Sequence, residues 1–76
     1  MKVRKKNGGL EDFDKNKIVK SCEKAGASAK IANDIATIVS KHAYDGISTS
    51  EIKVTVLREL GRMDKKAATV FREFKK

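Results

Sequence analysis

The feature that most constrains the fold of this chain is the Asn7-Gly8 pair near its start. Both residue types tolerate positive φ, and such a pair between two short extended runs is typical of a tight β-hairpin. We therefore expect a hairpin over residues 2–13. Asp14 follows directly, and aspartate is a residue type that caps the start of a helix.

Apolar residues recur every three or four positions through the rest of the chain, which predicts amphipathic helices. We place these helices at about residues 14–25, 28–43, 49–61 and 64–75. Gly61 is expected to end the third helix, and Ser48 with Glu51 fits a capping box at its start. The buried stripe of the last helix is expected to comprise Ala67, Val70, Phe71 and Phe74.

A short hairpin is not stable alone and must pack on these helices. Its expected apolar contacts are Val3, Leu10 and Phe13. The chain contains no proline, linker or internal repeat, so residues 1–76 are expected to form one small domain. The predicted fold class is α+β, mostly α: a four-helix bundle capped by a small N-terminal β-hairpin.

Composition narrows the function classes. The 76 residues include 18 basic and 10 acidic side chains, a formal net charge of +8. This charge favours an anionic partner such as a nucleotide, a nucleic acid or an acidic protein surface. The single cysteine, Cys22, excludes an internal disulfide and is expected to be a small buried residue. The sequence has neither a run of ~20 apolar residues nor a signal peptide, so we expect a cytoplasmic protein without membrane contact.

The reactive side chains do not form a catalytic pattern. The only histidine, His42, has no serine, cysteine or second histidine placed to make a nucleophile–base pair. Glu11, Asp12 and Asp14 flank a helix start, where carboxylates stabilise the fold. Neither a phosphate loop nor a Gly-x-Gly-x-x-Gly turn is present. We predict that the domain is not an enzyme and has no metal ligands.

Anion binding has better support. Lys5 and Lys6 precede the hairpin turn, and Lys17 lies one turn into the first helix. Thr49 and Lys53 share a face at the start of the third helix, where free backbone N–H groups suit a phosphate. On composition and spacing alone, a capping threonine beside a solvated lysine is still the favoured interpretation.

Three separated segments resemble the ATP-cone family. The stretch VRKKNGGLEDFDKNKI is similar to the family's opening pattern, V-x-K-R-[DN]-G-x-x-E-x-F-[DN]-x-x-K-I. Residues 46–52, GISTSEI, match a second signature, and residues 68–74, ATVFREF, resemble the last helix of the cone in the ribonucleotide reductase repressor. The matching positions of the opening pattern are Val3, Lys5, Lys6, Asn7, Gly8, Glu11, Phe13, Asp14, Lys17 and Ile18.

The resemblance implies a regulatory module that binds a purine nucleotide, ATP or dATP, with magnesium dependence left open. Such cones are helical bundles capped by a small hairpin, and they signal nucleotide state through oligomerisation or to a regulated protein such as a ribonucleotide reductase subunit. By the same resemblance, Lys5, Lys6 and Lys17 meet the triphosphate, and Val3 lies against the base. The implied nucleotide-binding residues are Val3, Lys5, Lys6, Asn7, Glu11, Asp14, Lys17, Thr49, Lys53 and, on the last helix, Arg72 or Lys75.

The chain departs from the family in three respects. Lys6 stands where arginine is frequent, and lysine cannot make the bidentate contact of a guanidinium. The segment from Gly61 to Ala68 is about one turn shorter than in many cones. No reductase barrel or zinc ribbon accompanies the cone, and a free-standing domain is favoured over a fragment.

Two other functions stay open on the sequence. One alternative is a small basic nucleic-acid-binding or transcription-regulator-like protein, which the charge supports but the scarcity of exposed aromatic residues does not. The other is a cone that has lost its ligand and serves protein interaction.

Overall fold

A computed structural model describes residues 1–73 and confirms the predicted fold class, α+β and mostly α. Four helices carry a small sheet of three strands at the N-terminal side. No helix within the described residues is long and apolar enough to cross a membrane. The elements in chain order are β1 (Lys2–Arg4), β2 (Leu10–Asp12), α1 (Lys15–Lys24), α2 (Ala29–His42), β3 (Ile47–Ser48), α3 (Thr49–Met63) and α4 (Lys65–Glu73).

Strands β1 and β2 are antiparallel and joined by a turn at the expected place, around Asn7-Gly8. The Lys5 N–H donates to the Gly9 carbonyl at 2.8 Å, and the Gly8 N–H donates to the Lys5 carbonyl at 3.0 Å. Gly8 has a φ of +87°, whereas Asn7 does not have positive φ. The loop therefore has three residues ending in a glycine at positive φ, another common hairpin connection.

The third strand, β3, was not predicted. It runs parallel to β1, so that Val3 at the centre pairs with Glu11 on one side and with Ile47 on the other. Gly46, with a φ of +90°, turns the chain onto this edge, and its N–H donates to the Lys2 carbonyl at 2.8 Å. The sheet order is β2-β1-β3.

The expectation that Leu10 packs on the helices is wrong. Successive side chains of a strand point to opposite faces. The pairing of Val3 with Glu11 puts these residues and Phe13 on the inner face, so Leu10 points outward and is 63% exposed. Val3 is buried and Phe13 packs against the helical core.

Each helix begins at a side-chain cap. The caps of α1, α2, α3 and α4 are Asp14, Ser28, Ser48 and Asp64, whose side-chain oxygens accept backbone N–H groups at 2.9, 3.2, 3.1 and 3.1 Å. The capping box at α3 is only half formed. Glu51 donates its N–H to Ser48, but its carboxylate accepts a hydrogen bond from the Tyr44 hydroxyl at 2.7 Å.

Two expectations for the C-terminal half are wrong. Helix α3 continues through Gly61 and ends at Met63. The boundary falls there because the next residue, Asp64, caps the start of α4. Val70 is 38% exposed, and Ala68 takes its place in the buried stripe. Phe74 and Lys75 lie outside the described residues.

The core lies between the four helices. Its largest fully buried side chains are Ile35 and Val39 of α2, Leu60 of α3 and Cys22 of α1. Small residues fill the remaining contacts, notably Ala32 and Ala36, which are fully buried on α2. Close packing of this kind makes each large core side chain matter to stability.

We expect Leu60→Ala to lower the free energy of unfolding by about 2–5 kcal/mol, because Leu60 is fully buried and its truncation leaves a cavity in the helical core. Leu10→Ala is the matched control and should change it by no more than about 0.5 kcal/mol, since its side chain points into solvent. Urea unfolding followed by circular dichroism measures both. Similar losses for the two variants would contradict the outward orientation of Leu10.

Burial raises the pKa of the Cys22 thiol to about 11, from an ordinary value of 9.0. The folded state therefore favours the protonated thiol, and this contribution to stability is present below pH 9.0 and lost as the pH rises through 11. We expect the free energy of unfolding to fall more between these pH values in the natural protein than in Cys22→Ala. Urea titrations at each pH measure the difference, and parallel pH profiles would contradict it.

Candidate nucleotide site

A cavity of about 610 Å³ lies between the inner face of the hairpin, α1 and α3, with one contribution from α4. Small-molecule sites commonly have volumes of about 300–1,000 Å³. The lining residues are Val3, Glu11, Asp12, Phe13, Asp14, Lys17, Ile18, Ser21, Lys24, Thr49, Ile52, Lys53, Val56 and Phe71.

The cavity has one wall from each of two helices. Asp14 caps α1, and Lys17, Ile18, Ser21 and Lys24 follow it at the spacing of a single helix face. These side chains form a continuous wall along the length of α1.

The opposite wall comes from the first two turns of α3. Its cavity residues are Thr49, Ile52, Lys53 and Val56, again the spacing of one helix face. The parallel pairing of β3 with β1 leads the chain directly into α3, whose cap is Ser48. This third strand therefore brings Thr49 and Lys53 to the hairpin.

The floor of the cavity is apolar. Val3, Ile18, Val56 and Phe71 are buried, each between 3% and 8% exposed. Phe71 is the single residue of α4 that lines the cavity within the described part of the chain. An apolar floor below a charged rim suits a ligand with a flat hydrophobic part and an anionic part.

Glu11 lies at the centre of the charged rim. Its Oε2 atom is 3.7 Å from the Lys5 Nζ and 3.5 Å from the Lys17 Nζ. The carboxylate is partly buried, whereas both ammonium groups are largely exposed. Glu11 thus links β2 to α1 and keeps two cations beside the cavity mouth.

The other two lining carboxylates are also occupied. Asp14 accepts the Asn16 N–H at 2.9 Å as the cap of α1. Asp12 contacts Lys2, with Oδ1 and Nζ 2.6 Å apart, and this hydrogen bond lowers the pKa of Asp12 and raises that of Lys2. Within residues 1–73, no carboxylate lies within 4.0 Å of the Lys24 or Lys53 ammonium.

The implied nucleotide-binding residues are brought together to different degrees. Val3, Glu11, Asp14, Lys17, Thr49 and Lys53 line the cavity. Lys5 reaches its edge through Glu11. Lys6 and Asn7 lie in the hairpin turn outside the lining, where Asn7 Oδ1 accepts the Gly9 N–H at 2.9 Å. Arg72 is exposed and does not line the cavity, and Lys75 lies outside the described residues.

Several lining residues were not among the nucleotide-binding residues expected from the sequence: Asp12, Phe13, Ile18, Ser21, Lys24, Ile52, Val56 and Phe71. Helical spacing could have found some of them, since Ser21 and Lys24 lie four and seven residues after Lys17. Phe71 carried no such signal, because its contact depends on how α4 folds back.

Among residues 1–73, the cavity is lined by neither a set of metal-binding side chains nor a histidine. No group of three or more His, Cys, Asp or Glu side chains in that part of the chain could hold a metal ion. His42 is exposed at the end of α2 and is not among the lining residues.

Comparison with known proteins gives two relatives that match almost the whole chain and one that matches about half of it. The transcriptional repressor NrdR of Synechococcus elongatus is 34% identical over 85 aligned positions, covering 96% of this chain and 51% of the repressor. The NrdR repressor of Clostridium botulinum is also 34% identical, with 96% and 56% covered. An uncharacterized protein of Archaeoglobus fulgidus is 53% identical over 36 residues, 47% of this chain and 77% of that protein.

The chain spans about half the length of the repressors that it matches. The similarity therefore concerns one region of those proteins. The sequence model of the ATP cone domain matches residues 1–76, from the first residue of the chain to the last. The protein belongs to the ATP-cone family.

Proposed function

We propose that this domain is a regulatory module that binds a purine nucleoside triphosphate, ATP or dATP, and catalyses no reaction. The observation that carries the proposal is the cavity. Its floor is apolar, and the lysines at its rim come from α1 and α3. Membership of the ATP-cone family supports the same function.

The two parts of the cavity fit the two parts of a nucleotide. Val3 and the neighbouring apolar floor would lie against the purine base. Lys5, Lys17 and Lys53 would meet the triphosphate, with the Thr49 hydroxyl as a further donor. Any Mg²⁺ would then be held by phosphate oxygens more than by protein ligands, since magnesium sites with nucleotides commonly use one or two carboxylates plus phosphates.

Each of the two helix starts at the cavity carries one carboxylate. Asp14 caps α1, whereas α3 is capped by the neutral hydroxyl of Ser48 and has Glu51 in its first turn. The Glu51 carboxylate accepts the Tyr44 hydroxyl and does not line the cavity, so the phosphate contacts that we propose at α3 are those of Thr49 and Lys53. Asp14 and Glu11 are better suited to polar groups of the base or ribose.

The hairpin turn would contribute less than the cavity walls do. Lys6 and Asn7 are exposed there, outside the lining. The ammonium of Lys6 acts at longer range, and the role of Asn7 is to hold the turn through its bond to Gly9. A nucleotide contact by Lys75 is proposed from the family resemblance alone.

A regulatory role requires that nucleotide binding changes the state of this domain or of a partner protein. A ligand shifts an equilibrium only when it binds two states with different affinities. We propose a second oligomeric state of this domain, or a regulated protein such as a ribonucleotide reductase subunit, as the recipient. A cytoplasmic location accords with such partners.

A second candidate function is nucleic-acid binding in transcription regulation. The names of the repressors that the chain resembles favour it, as does the net charge of +8. Binding of this kind weakens steeply with salt, in proportion to the phosphates neutralised. Tight DNA or RNA binding with that salt dependence, together with no nucleotide binding, would favour this candidate over the first.

We expect ATP or dATP to stabilise the domain. With a dissociation constant of about 10 μM, ~1 mM nucleotide would add about 2.7 kcal/mol to the free energy of unfolding. For a domain of this size, that is a rise in Tm of about 10–20 °C. Thermal unfolding with and without each nucleotide measures it, and no shift with any purine triphosphate would overturn the proposed function.

We expect Lys17→Ala to weaken nucleotide binding by about tenfold or more, because it removes a charged hydrogen-bond donor from the cavity. Lys20→Ala is the matched control, since Lys20 is exposed on the same helix and does not line the cavity. Calorimetric titration of both variants provides the comparison. Equal losses would mean that only the overall charge of α1 matters.

A further inference from the structure

The α1 wall of the cavity continues beyond the family's opening pattern, which ends at Ile18. Ser21 and Lys24 extend it by almost two further turns. With a helix rise of 1.5 Å per residue, Lys17 and Lys24 are about 10 Å apart along the axis. A single phosphate is too small to span this distance, whereas a chain of phosphates held between two flexible lysine side chains is not.

The charge on this wall differs between its two ends. The Lys17 ammonium already lies 3.5 Å from Glu11, which offsets its charge. Lys24 has no carboxylate within 4.0 Å among the described residues, although it lines the same cavity. An uncompensated ammonium at the edge of a cavity favours an anionic group of the ligand.

Ser21 lies between these lysines, and its hydroxyl is free. The hydroxyls of Thr37, Ser40, Thr55 and Thr69 each donate to a backbone carbonyl four residues earlier, at 2.8 to 3.1 Å. Ser21 makes no such bond within the part of the chain that the structure describes, and it lines the cavity half-buried. Its hydroxyl can therefore donate to a ligand oxygen.

We propose that Ser21 and Lys24 bind the outer phosphates of the ligand and thereby select a triphosphate over nucleotides with fewer phosphates. The proposal rests on the proposed function and adds a specificity element to the same cavity. The inner phosphate lies near Lys17 and Lys53, and the chain of phosphates follows the α1 wall past Ser21 to Lys24.

Lys24 also has a structural role to be separated from this one. It lies in the last turn of α1, where a cation interacts favourably with the helix dipole. That contribution affects the folded state equally with every ligand. A change in the ranking of ligands is therefore the readout that only direct contact with phosphate would produce.

The experiment compares adenosine mono-, di- and triphosphate and inorganic tripolyphosphate by calorimetric titration. We expect Lys24→Ala to weaken triphosphate binding by about tenfold and monophosphate binding by less than about twofold. Ser21→Ala should weaken triphosphate binding by about threefold. The controls are Lys20→Ala and Ser50→Ala, which remove an exposed ammonium and an exposed hydroxyl outside the cavity.

Each outcome separates this inference from the proposed function. Unchanged triphosphate binding by Lys24→Ala, or equal weakening for all three nucleotides, overturns the inference while nucleotide binding stands. Tripolyphosphate binding that depends on Lys24, without binding of any nucleotide, overturns the proposed function and the nucleotide selectivity, and leaves only the phosphate contact of Lys24. Absence of binding for all four ligands overturns both.

Discussion

The pairing of Val3 with both neighbouring strands is the contact on which the rest of this structure depends. On one side it fixes the register of the hairpin, so that Glu11 and Phe13 face the helices. On the other side it fixes the position of Ile47, which lies two residues before the start of α3. Val3 is only 4% exposed, so this short sheet is also part of the apolar floor. One buried side chain thus joins the two halves of the cavity.

Local signals made much of the fold predictable from the sequence. The Asn-Gly turn and the four capping residues act within a few residues of themselves, and each marks an element boundary in the structure. Strand β3 could not be found this way, because it is two residues long and pairs with a strand more than forty positions earlier. Leu10 was misjudged for a related reason: its orientation follows from the register of the hairpin, which its hydrophobicity does not reveal.

The candidate site was predictable to the extent that it lies within short motifs. Family resemblance pointed to Val3, Glu11, Lys17, Thr49 and Lys53, all of which line the cavity. The rest of the lining arises from packing. Phe71 reaches the floor because Asp64 alone connects α3 to α4 and turns the chain back. The sequence marks Asp64 as the boundary, but it does not give the direction in which α4 leaves α3.

Charge at the cavity is nearly balanced despite the strongly basic composition. Three lysines and three carboxylates line it, and each carboxylate already has a partner. A triphosphate would therefore draw on the ammonium groups that are free, and it would compete with Glu11 for Lys5 and Lys17. Because Glu11 connects the hairpin to α1 through Lys17, that competition would alter a contact between two elements of the fold. Ligand occupancy and hairpin packing would thus be coupled through one carboxylate, which is the kind of differential contact that the proposed regulatory function requires.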